Sequence, residues 1–179
     1  MEKAAQKNMQ NLTSQDAIDK LKELIKSESI CFFCTQLSEQ PIATRPMSTQ
    51  EVDDNGNIWF LSSIKSNKNA EIGQNDVVQL FYANPSNYEF LSVFGNASIH
   101  TEREKIYEMW TPFAKAWFKD GKEDADISLI KVVPQSAYYW DTKNNKMITM
   151  IQMLAAMVTG SAPDDGGGTL KVLELSATC

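Results

Sequence analysis

The sequence is poor in the residues that most catalytic motifs require. It contains one histidine, eight glycines and two arginines, and three of the glycines are consecutive at 166–168. A histidine-pair zinc motif, a Gly-rich dinucleotide or phosphate loop and a nucleophile elbow therefore cannot be written from it. No apolar run approaches the roughly 18 residues of a membrane span, and residues 1–11 lack the apolar stretch of a signal peptide. We expect a cytoplasmic protein with no metal site and no membrane segment.

Basic charge is scarce as well. The 17 basic residues are outnumbered by 23 acidic ones, which gives a net charge of −6. This balance argues against nucleic acid or an anionic membrane as a partner, so an anionic ligand must be held locally. The 179 residues, 42% of them hydrophobic, predict one domain. We place it at residues 13–160, between a flexible N-terminus at 1–12 and a C-terminal tail at 161–179 that has room for one short strand.

Two of the three cysteines, Cys31 and Cys34, form a C-x-x-C pair inside the apolar run 30–34. In a strand, residues three apart point to opposite faces, whereas a redox dithiol has its first cysteine at the start of a helix. We therefore predict two buried, inert thiols rather than a dithiol site. Cys179, the last residue, is interpreted as having no role in a site.

The apolar patterns predict a mainly β protein, a small antiparallel barrel with a few peripheral helices. An amphipathic helix begins near Ser14, which can cap it. Short turns such as Asp53-Asp54-Asn55-Gly56 join the strands that follow. The predicted strands are Ile30–Leu37, Ile42–Val52, Asn57–Ser63, Val77–Ala83, Tyr88–His100 and Ile127–Trp140, with a short helix at Asn67–Ile72.

The second half of the sequence opens with an apolar stripe at helical spacing. Pro112 should kink or break this helix. Stacking of Trp110 and Trp117 on a cofactor is one interpretation, but aromatic residues on such a stripe are typical of a core, and we expect them there. Pro134 predicts a strand edge or bulge, and residues 147–158 an apolar helix or strand. The stripe consists of Ile106, Met109, Trp110, Phe113, Ala114 and Trp117.

Arg45 is the most informative charged residue. It lies mid-strand among small and hydroxylic residues, where its charge must face solvent or a bound anion. If the strands on either side of the Asn55-Gly56 turn pair, Arg45 comes opposite residues 62–66, which lead into a helix with Lys68 in its first turn. Arginine, serine, asparagine and lysine then converge on one spot that suits a phosphate. An ordinary solvated loop is the alternative.

Arg103 and His100 carry weaker signals. Arg103 is interpreted as a solvated surface residue, and His100 as a structural one, because no spacing around it makes a triad or a metal site. Any chemistry is therefore expected to come from a cofactor.

Several short segments follow one another in a recognisable order: Arg45-Pro46-Met47-Ser48, Phe60-Leu61-Ser62-Ser63 with Ser66-Asn67-Lys68, Val93–Ala97, Trp110–Phe118 and Pro134–Trp140. Together they resemble the pyridoxamine 5'-phosphate oxidase-like flavoproteins, and among them the general stress protein 26-like group, over residues 13–160. The resemblance implies an FMN-binding split barrel. It also implies a homodimer with two flavin sites at the subunit interface.

The resemblance further implies which residues contact the cofactor. Arg45, Ser62 and Lys68 would hold the phosphate, the strand from Arg45 to Gln50 would flank the flavin ring, and Trp140 would approach it from the other subunit. No catalytic residue is implied. The cofactor-binding set is Arg45, Pro46, Met47, Ser48, Leu61, Ser62, Ser63, Asn67, Lys68 and Trp140.

Four positions depart from the true oxidases. Asn67 stands where they carry an arginine beside the lysine, and Phe90 where they carry a flavin-contacting glutamine. Ile148 and Met150 fall near an arginine and a histidine that bind the substrate, and an apolar pair cannot bind a second phosphate. The sequence is therefore not expected to encode a pyridoxamine phosphate oxidase.

We expect instead an FMN-binding protein of the stress-response type. Its activity would be that of a low-specificity flavin-dependent oxidoreductase, with a nicotinamide cofactor or another small molecule as electron donor. One alternative is a non-catalytic binding or sensor protein for flavin, haem or a deazaflavin. Another is a structural dimer without a cofactor.

Overall fold

The computed structural model describes residues 14–141 and 146–151, which form seven strands, three α-helices and two 3-10 helices. The predicted N-terminal segment and C-terminal tail lie outside these residues. The helices are α1 (Ser14–Ser27), α2 (Asn67–Gln74) and α3 (Arg103–Met109), with 3-10 helices at Pro112–Ala116 and Gly121–Glu123. The strands are β1 (Ile30–Thr35), β2 (Ala43–Val52), β3 (Ile58–Ser63), β4 (Val77–Asn84), β5 (Glu89–His100), β6 (Ile127–Asp141) and β7 (Lys146–Ile151).

Six of these strands close into an antiparallel barrel, which confirms the predicted fold class. Their order is β3-β2-β1-β4-β5-β6, and β6 pairs back onto β3. β6 has two partners along one edge, because residues 127–132 pair with β3 and residues 136–141 pair with β7. β7 thus extends the sheet past the closed barrel, as expected of a split barrel.

The pairing of β2 with β3 is short. It runs from Val52 opposite Ile58 to Thr49 opposite Phe60, and no ladder pair beyond Thr49 joins the two strands in the described part of the chain. The ladder ends before it reaches Arg45, so it does not pair Arg45 with residues 62–66. The first half of β2, which carries Arg45, is paired with β1 instead.

A β-bulge interrupts the pairing of β5 with β6 at Pro134, the position predicted from the sequence. Gly95 pairs with Pro134 and the residue before it pairs with Ser136, so that Gln135 is left out of the ladder. Gly95 also lies directly against the neighbouring backbone. A Cβ at this position would overlap the carbonyl oxygen of Val133 and lie 3.0 Å from its carbonyl carbon. Glycine is required here because the two backbones approach so closely.

The barrel interior is filled by alternate strand residues and closed by a helix at each end. α1 contacts β2 and β5, and α2 contacts β1 and β5. The fully buried rings of Phe33 and Phe60 meet edge to face, with centroids 5.2 Å apart. The apolar face predicted for α1 is confirmed, because its residues join the same core as Ile72 of α2. That face consists of Ala17, Ile18, Leu21, Leu24 and Ile25.

A second, smaller core covers the outer face of β3 and β6. α3 and the first 3-10 helix pack over Trp59, and Leu61 and Trp110 are partly buried at its margin. Its fully enclosed members are Trp59, Ile106, Met109, Ala114, Phe118, Ile127 and Leu129.

The prediction that the whole aromatic stripe is core is wrong for two residues. Phe113 is 71% exposed and Trp117 is 66% exposed, and their rings pair with each other at 4.9 Å between centroids. α3 ends at Met109, and Pro112 then begins a 3-10 helix. A 3-10 helix has about 3.0 rather than about 3.6 residues per turn, so the stripe loses its phase after the break.

Both cysteines of the C-x-x-C pair are buried and unbonded to each other, as predicted. Cys31 lies in the barrel core and hydrogen-bonds Tyr82, whose hydroxyl is 2.8 Å from that of Thr49. Cys34 accepts a hydrogen bond from Thr44 at 3.4 Å. Burial raises the pKa of Cys31 to about 12. The pair is therefore structural.

Cys31 is expected to resist alkylation in the native protein. At pH 8 a thiol with a pKa of about 12 is ionised to only about one part in ten thousand, and the thiolate is the reactive form. Peptide mapping after iodoacetamide treatment should show Cys31 unmodified in native protein and modified in guanidinium. Rapid native labelling of Cys31 would contradict its placement in the core.

Candidate functional site

Arg45 lies at the start of β2, at the end of the barrel that α2 closes. Its guanidinium donates one hydrogen bond to the Thr35 hydroxyl and one to a Glu71 carboxylate oxygen, each at 2.7 Å. The Thr35 hydroxyl in turn donates to the same oxygen of Glu71 at 2.5 Å. The arginine side chain is 24% exposed and the glutamate 17%. Arg45 is therefore paired with a carboxylate of its own chain, a partner that neither of its two sequence interpretations named.

Lys68 completes a cationic pair with Arg45. It occupies the second position of α2, whose first turn carries no acidic residue. Burial lowers the pKa of the half-buried Lys68 ammonium, the charge of Arg45 lowers it further, and Glu71 acts in the opposite direction. Two cations thus share a small volume at a helix N-terminus, where free backbone N–H groups also favour an anion. We name Arg45, Lys68 and this N-terminus the cation pair site.

A buried polar network fixes the start of α2. Ser66 caps the helix by accepting a hydrogen bond from the backbone N–H of Asn69. The side-chain carbonyl of Asn69 accepts from Ser62 at 2.7 Å and from Ser66 at 3.1 Å, and its amide donates to Ser128 at 2.8 Å. Ser62 is 3% exposed. Its hydroxyl therefore anchors α2 to β3 instead of standing open to a ligand.

The other predicted residues on β2 and β3 divide into two groups. Met47 and Leu61 are partly buried, Met47 against the barrel core and Leu61 against the smaller core. Pro46 and Ser48 are exposed on the outer face of β2. Asn67 is exposed at the first position of α2, beside the cation pair site. Ser63, at the end of β3, accepts hydrogen bonds from the backbone of the turn that follows.

Trp140 lies far from the cation pair site of its own chain. It is eleven residues along β6 from Leu129, the partner of Leu61, which is about 36 Å of strand. It is also four strands from β2 in the other direction around the sheet, about 19 Å. The structure therefore does not bring Trp140 together with Arg45, Ser62 and Lys68 within one chain.

Trp140 instead belongs to an exposed apolar face on the outside of the sheet. Phe32 pairs with Phe81, and Phe90 with Trp140, so these rings form rows across the strands. No helix of the described chain covers them. We name this surface the outer apolar face; its members are Ile30 (56% exposed), Phe32 (59%), Phe81 (46%), Phe90 (38%), Tyr138 (42%) and Trp140 (43%).

His100 and Arg103 have structural partners. His100 lies 2.9 Å from the Ser98 hydroxyl and packs against Trp59, with ring centroids 5.4 Å apart. Arg103 donates to the carbonyl oxygens of Asp124 and Lys122, so it holds the loop before β6 as well as lying at the surface.

Over residues 14–141 and 146–151 no group of three or more His, Cys, Asp and Glu side chains is arranged to hold a metal ion. None of the described helices is long and apolar enough to cross a membrane.

A groove of about 380 Å³ lies at the opposite end of the barrel, between α1 and the end of β2. Lys22 at its rim is paired with Asp54 at 2.7 Å, and Glu51 with Lys105 at 3.5 Å. Thr49 and Gln50, at the end of the strand predicted to flank the flavin ring, line it, but no residue of the predicted cofactor-binding set does.

Sequence reasoning missed three residues that organise the cation pair site: Thr35, Asn69 and Glu71. A signal for Glu71 was present, because it follows Lys68 by three residues and so shares its face of α2. Thr35 had no such signal. Its contact with Arg45 depends on the pairing of β1 with β2 and on the position of α2 across the end of the barrel.

The comparisons agree with this architecture. Residues 16–164 match the family model described as pyridoxamine 5'-phosphate oxidase like. The protein bli-3 of Neurospora crassa is 24% identical over 128 residues, which are 66% of this chain and 61% of that protein. This chain therefore spans less than two thirds of the length of bli-3.

Solved structures with the same fold include several general stress proteins. The general stress FMN/FAD binding protein of Xanthomonas citri has a TM-score of 0.61 at 23% identity, covering 88% of this chain and 99% of that one. A general stress family protein of Xanthomonas campestris has a TM-score of 0.62 at 26% identity, covering 73% and 90%. General stress protein 26 of Bacillus anthracis has a TM-score of 0.62 at 20% identity, covering 74% and 98%.

Proposed function

The chain belongs to the pyridoxamine 5'-phosphate oxidase-like family, and from this membership and the cation pair site we propose that it binds FMN as a low-specificity flavin-dependent oxidoreductase. The observation that carries the proposal is that Arg45, which is bonded to Glu71 of α2, lies within electrostatic reach of Lys68 in the first turn of the same helix. In a protein with a net charge of −6, this local excess of positive charge is suited to one small anion.

The residues present fit a flavin phosphate. Arg45 retains guanidinium N–H donors besides the two that bond Thr35 and Glu71. Lys68 is half-buried with a lowered pKa, so an anion beside it would relieve the cost of holding its charge there. The N–H groups of the first turn of α2 add donors, and Asn67 adds a neutral side chain next to them. Arg45, Lys68 and this turn would hold the phosphate, while Ser62 fixes the turn through Asn69.

Met47 and Leu61 would shelter the flavin ring from water. Both are partly buried apolar side chains; Met47 follows Arg45 by two residues on β2, and Leu61 precedes Ser62 on β3. Bound FMN would supply hydride and electron transfer at its ring. We assign no proton donor. Burial acts to raise the pKa of Glu71, but hydrogen bonds from Thr35 and Arg45 outweigh burial and bring the pKa below its ordinary value, so this carboxylate is ionised at neutral pH.

We further propose that two copies of the chain complete the site. Trp140 lies four strands away from β2, on the outer apolar face with Phe32 and Phe81, whereas Arg45 is bonded to Thr35 and Glu71 at the end of the barrel. Exposed Pro46 and Ser48 lie next to Phe32 and Ile30 on that face, because β2 pairs with β1 in this register. A second copy packed against the face would cover the exposed rings and bring its Trp140 towards the ring side of the site.

Lys68→Ala is expected to weaken FMN binding by about 1.5–3 kcal/mol, the range for a hydrogen bond to a charged group. Titration of the purified protein followed by flavin absorbance and fluorescence measures this, and Arg45→Ala should show a similar loss. Riboflavin, which lacks the phosphate, should bind both variants as it binds the wild type. Lys26→Ala, an exposed lysine of α1 at the other end of the barrel, is the matched control. Failure of the wild-type chain to bind FMN at tens of micromolar would contradict the proposed cofactor.

Turnover separates the enzyme from the alternative of a non-catalytic flavin carrier. The carrier is favoured by the ionised state of Glu71 and by the structural partners of His100, the only histidine of the sequence. Steady oxidation of NADH or NADPH by the FMN-loaded protein supports the oxidoreductase. Bound FMN without turnover, across nicotinamide and other donors, supports the carrier.

A further inference from the structure

Glu71 places a carboxylate inside the cation pair site. One of its oxygens accepts hydrogen bonds from Arg45 at 2.7 Å and from Thr35 at 2.5 Å. The arginine and glutamate side chains are 24% and 17% exposed. Thr35 is fully buried and is bonded to both, so the three side chains form a closed triangle. A charge-assisted pair held by a third buried group has a well-defined geometry.

This carboxylate takes one of the donors that a phosphate could use. The two terminal nitrogens of Arg45 each donate one hydrogen bond, one to Thr35 and the other to Glu71. A phosphate that contacts the edge of the guanidinium formed by these two nitrogens therefore competes with Glu71 for Arg45. Lys68 is three residues earlier on the same helix and is within electrostatic reach of both partners.

Glu71 weakens the attraction of the site for a second anion while it stays in place. Arg45 and Lys68 together contribute two positive charges and Glu71 one negative charge, because its pKa is lowered and it is ionised at neutral pH. A phosphate monoester carries about −1.5 to −2 at pH 7. Its attraction to the two cations is reduced by repulsion from the carboxylate beside them.

We propose that Glu71 is an internal competitor for the phosphate of the ligand, so that it sets how tightly this site binds phosphorylated flavin. The inference rests on the proposed function, because it takes the phosphate of FMN to lie at Arg45 and Lys68. Binding exchanges the Arg45–Glu71 ion pair for an Arg45–phosphate contact. Glu71 thereby lowers the affinity of the site for FMN. It also lowers the ratio of the affinity for FMN to the affinity for riboflavin.

The test compares FMN and riboflavin titrations of the wild-type chain and Glu71→Gln. Glutamine keeps the length and one acceptor oxygen of the side chain but removes its charge. Glu71→Gln is expected to bind FMN about tenfold more tightly, as the loss of one opposing charge-assisted contact implies, and to bind riboflavin unchanged. Glu104→Gln, an exposed glutamate on α3, removes the same charge elsewhere and should change neither titration.

Three results overturn the inference. Weaker FMN binding by Glu71→Gln would mean that Glu71 positions Arg45 for the ligand. Unchanged FMN binding would mean that Glu71 neither competes with the phosphate nor positions Arg45. If riboflavin bound more tightly by the same factor as FMN, the effect would lie away from the phosphate. Thermal melting checks that the variant is folded. If Glu71→Gln does not fold, Glu71→Asp keeps the charge but shortens the reach to Arg45, and the same direction of change is expected.

The failure of this inference is distinguishable from failure of the proposed function. If FMN binds and Lys68→Ala weakens it, the proposed site stands whatever Glu71→Gln does. If neither the wild-type chain nor Glu71→Gln binds FMN, the proposed function and the inference fall together.

Discussion

Phe32→Asp combined with Phe81→Asp is expected to convert the proposed dimer into a monomer. The two rings are adjacent across β1 and β4, and they are 59% and 46% exposed. In a two-fold assembly each occurs twice, and covering the exposed part of four rings contributes about 4 kcal/mol, about a thousandfold in the dimer dissociation constant. Burying four carboxylates would cost more still. Sedimentation velocity at micromolar protein concentrations measures the change in mass.

The same variant should also bind FMN more weakly, because the site would lose Trp140 of the second copy. Phe113→Asp combined with Trp117→Asp is the matched control. It replaces a more exposed aromatic pair on the segment over β3 and β6, away from the outer apolar face. An unchanged dimer in the first variant, or a monomer only in the second, would show that the interface lies elsewhere.

Gly95→Ala is expected to destabilise the protein by about 3 kcal/mol, the upper part of the range for overpacking. The added methyl group would overlap the carbonyl oxygen of Val133 and lie 3.1 Å from the Cα of Pro134. These are backbone atoms of β6, which cannot move without breaking the ladder on either side of the bulge. Thermal unfolding should show a midpoint lowered by about 6–12 °C.

Gly73→Ala provides the contrast. Gly73 lies in α2, and a Cβ there would meet no atom within 4 Å. Alanine is favoured over glycine inside a helix by about 0.5–1 kcal/mol, so this variant should be as stable as the wild type or slightly more stable. If Gly95→Ala and Gly73→Ala have the same thermal unfolding midpoint, the close approach of the backbones at Gly95 does not limit stability as the structure indicates.

Local patterns predict the elements of this protein because the relevant interactions are local. Alternation of apolar residues and short turns give the bounds of β1 to β6 to within two residues at each end. Pro134 marks the bulge because proline lacks the donor that a ladder needs. The helical stripe fails at Phe113 and Trp117, because Pro112 replaces an α-helix by a 3-10 helix and the period changes within the pattern.

The candidate site shows which contacts local sequence patterns do not predict. Arg45 and Lys68 could be selected from the sequence, because isolated basic residues among small and hydroxylic neighbours indicate a local anion site. The partner of Arg45 could not, since Glu71 is 26 residues away and Thr35 is 10 residues away. Their triangle exists only because α2 crosses the end of the barrel beside β1.

The scarcity of histidine and glycine by itself excluded the zinc, phosphate-loop and nucleophile-elbow motifs. The scarcity of arginine by itself indicated one candidate anion site, at Arg45. The alternation of apolar residues determined the strands, because side-chain burial along a strand has a period of two. Only the tertiary structure decided that Glu71 occupies Arg45, that Ser62 is committed to Asn69, and that Trp140 faces outward far from both. The physical reason is that these contacts join segments distant in the sequence, and closure of the barrel sets which of them meet.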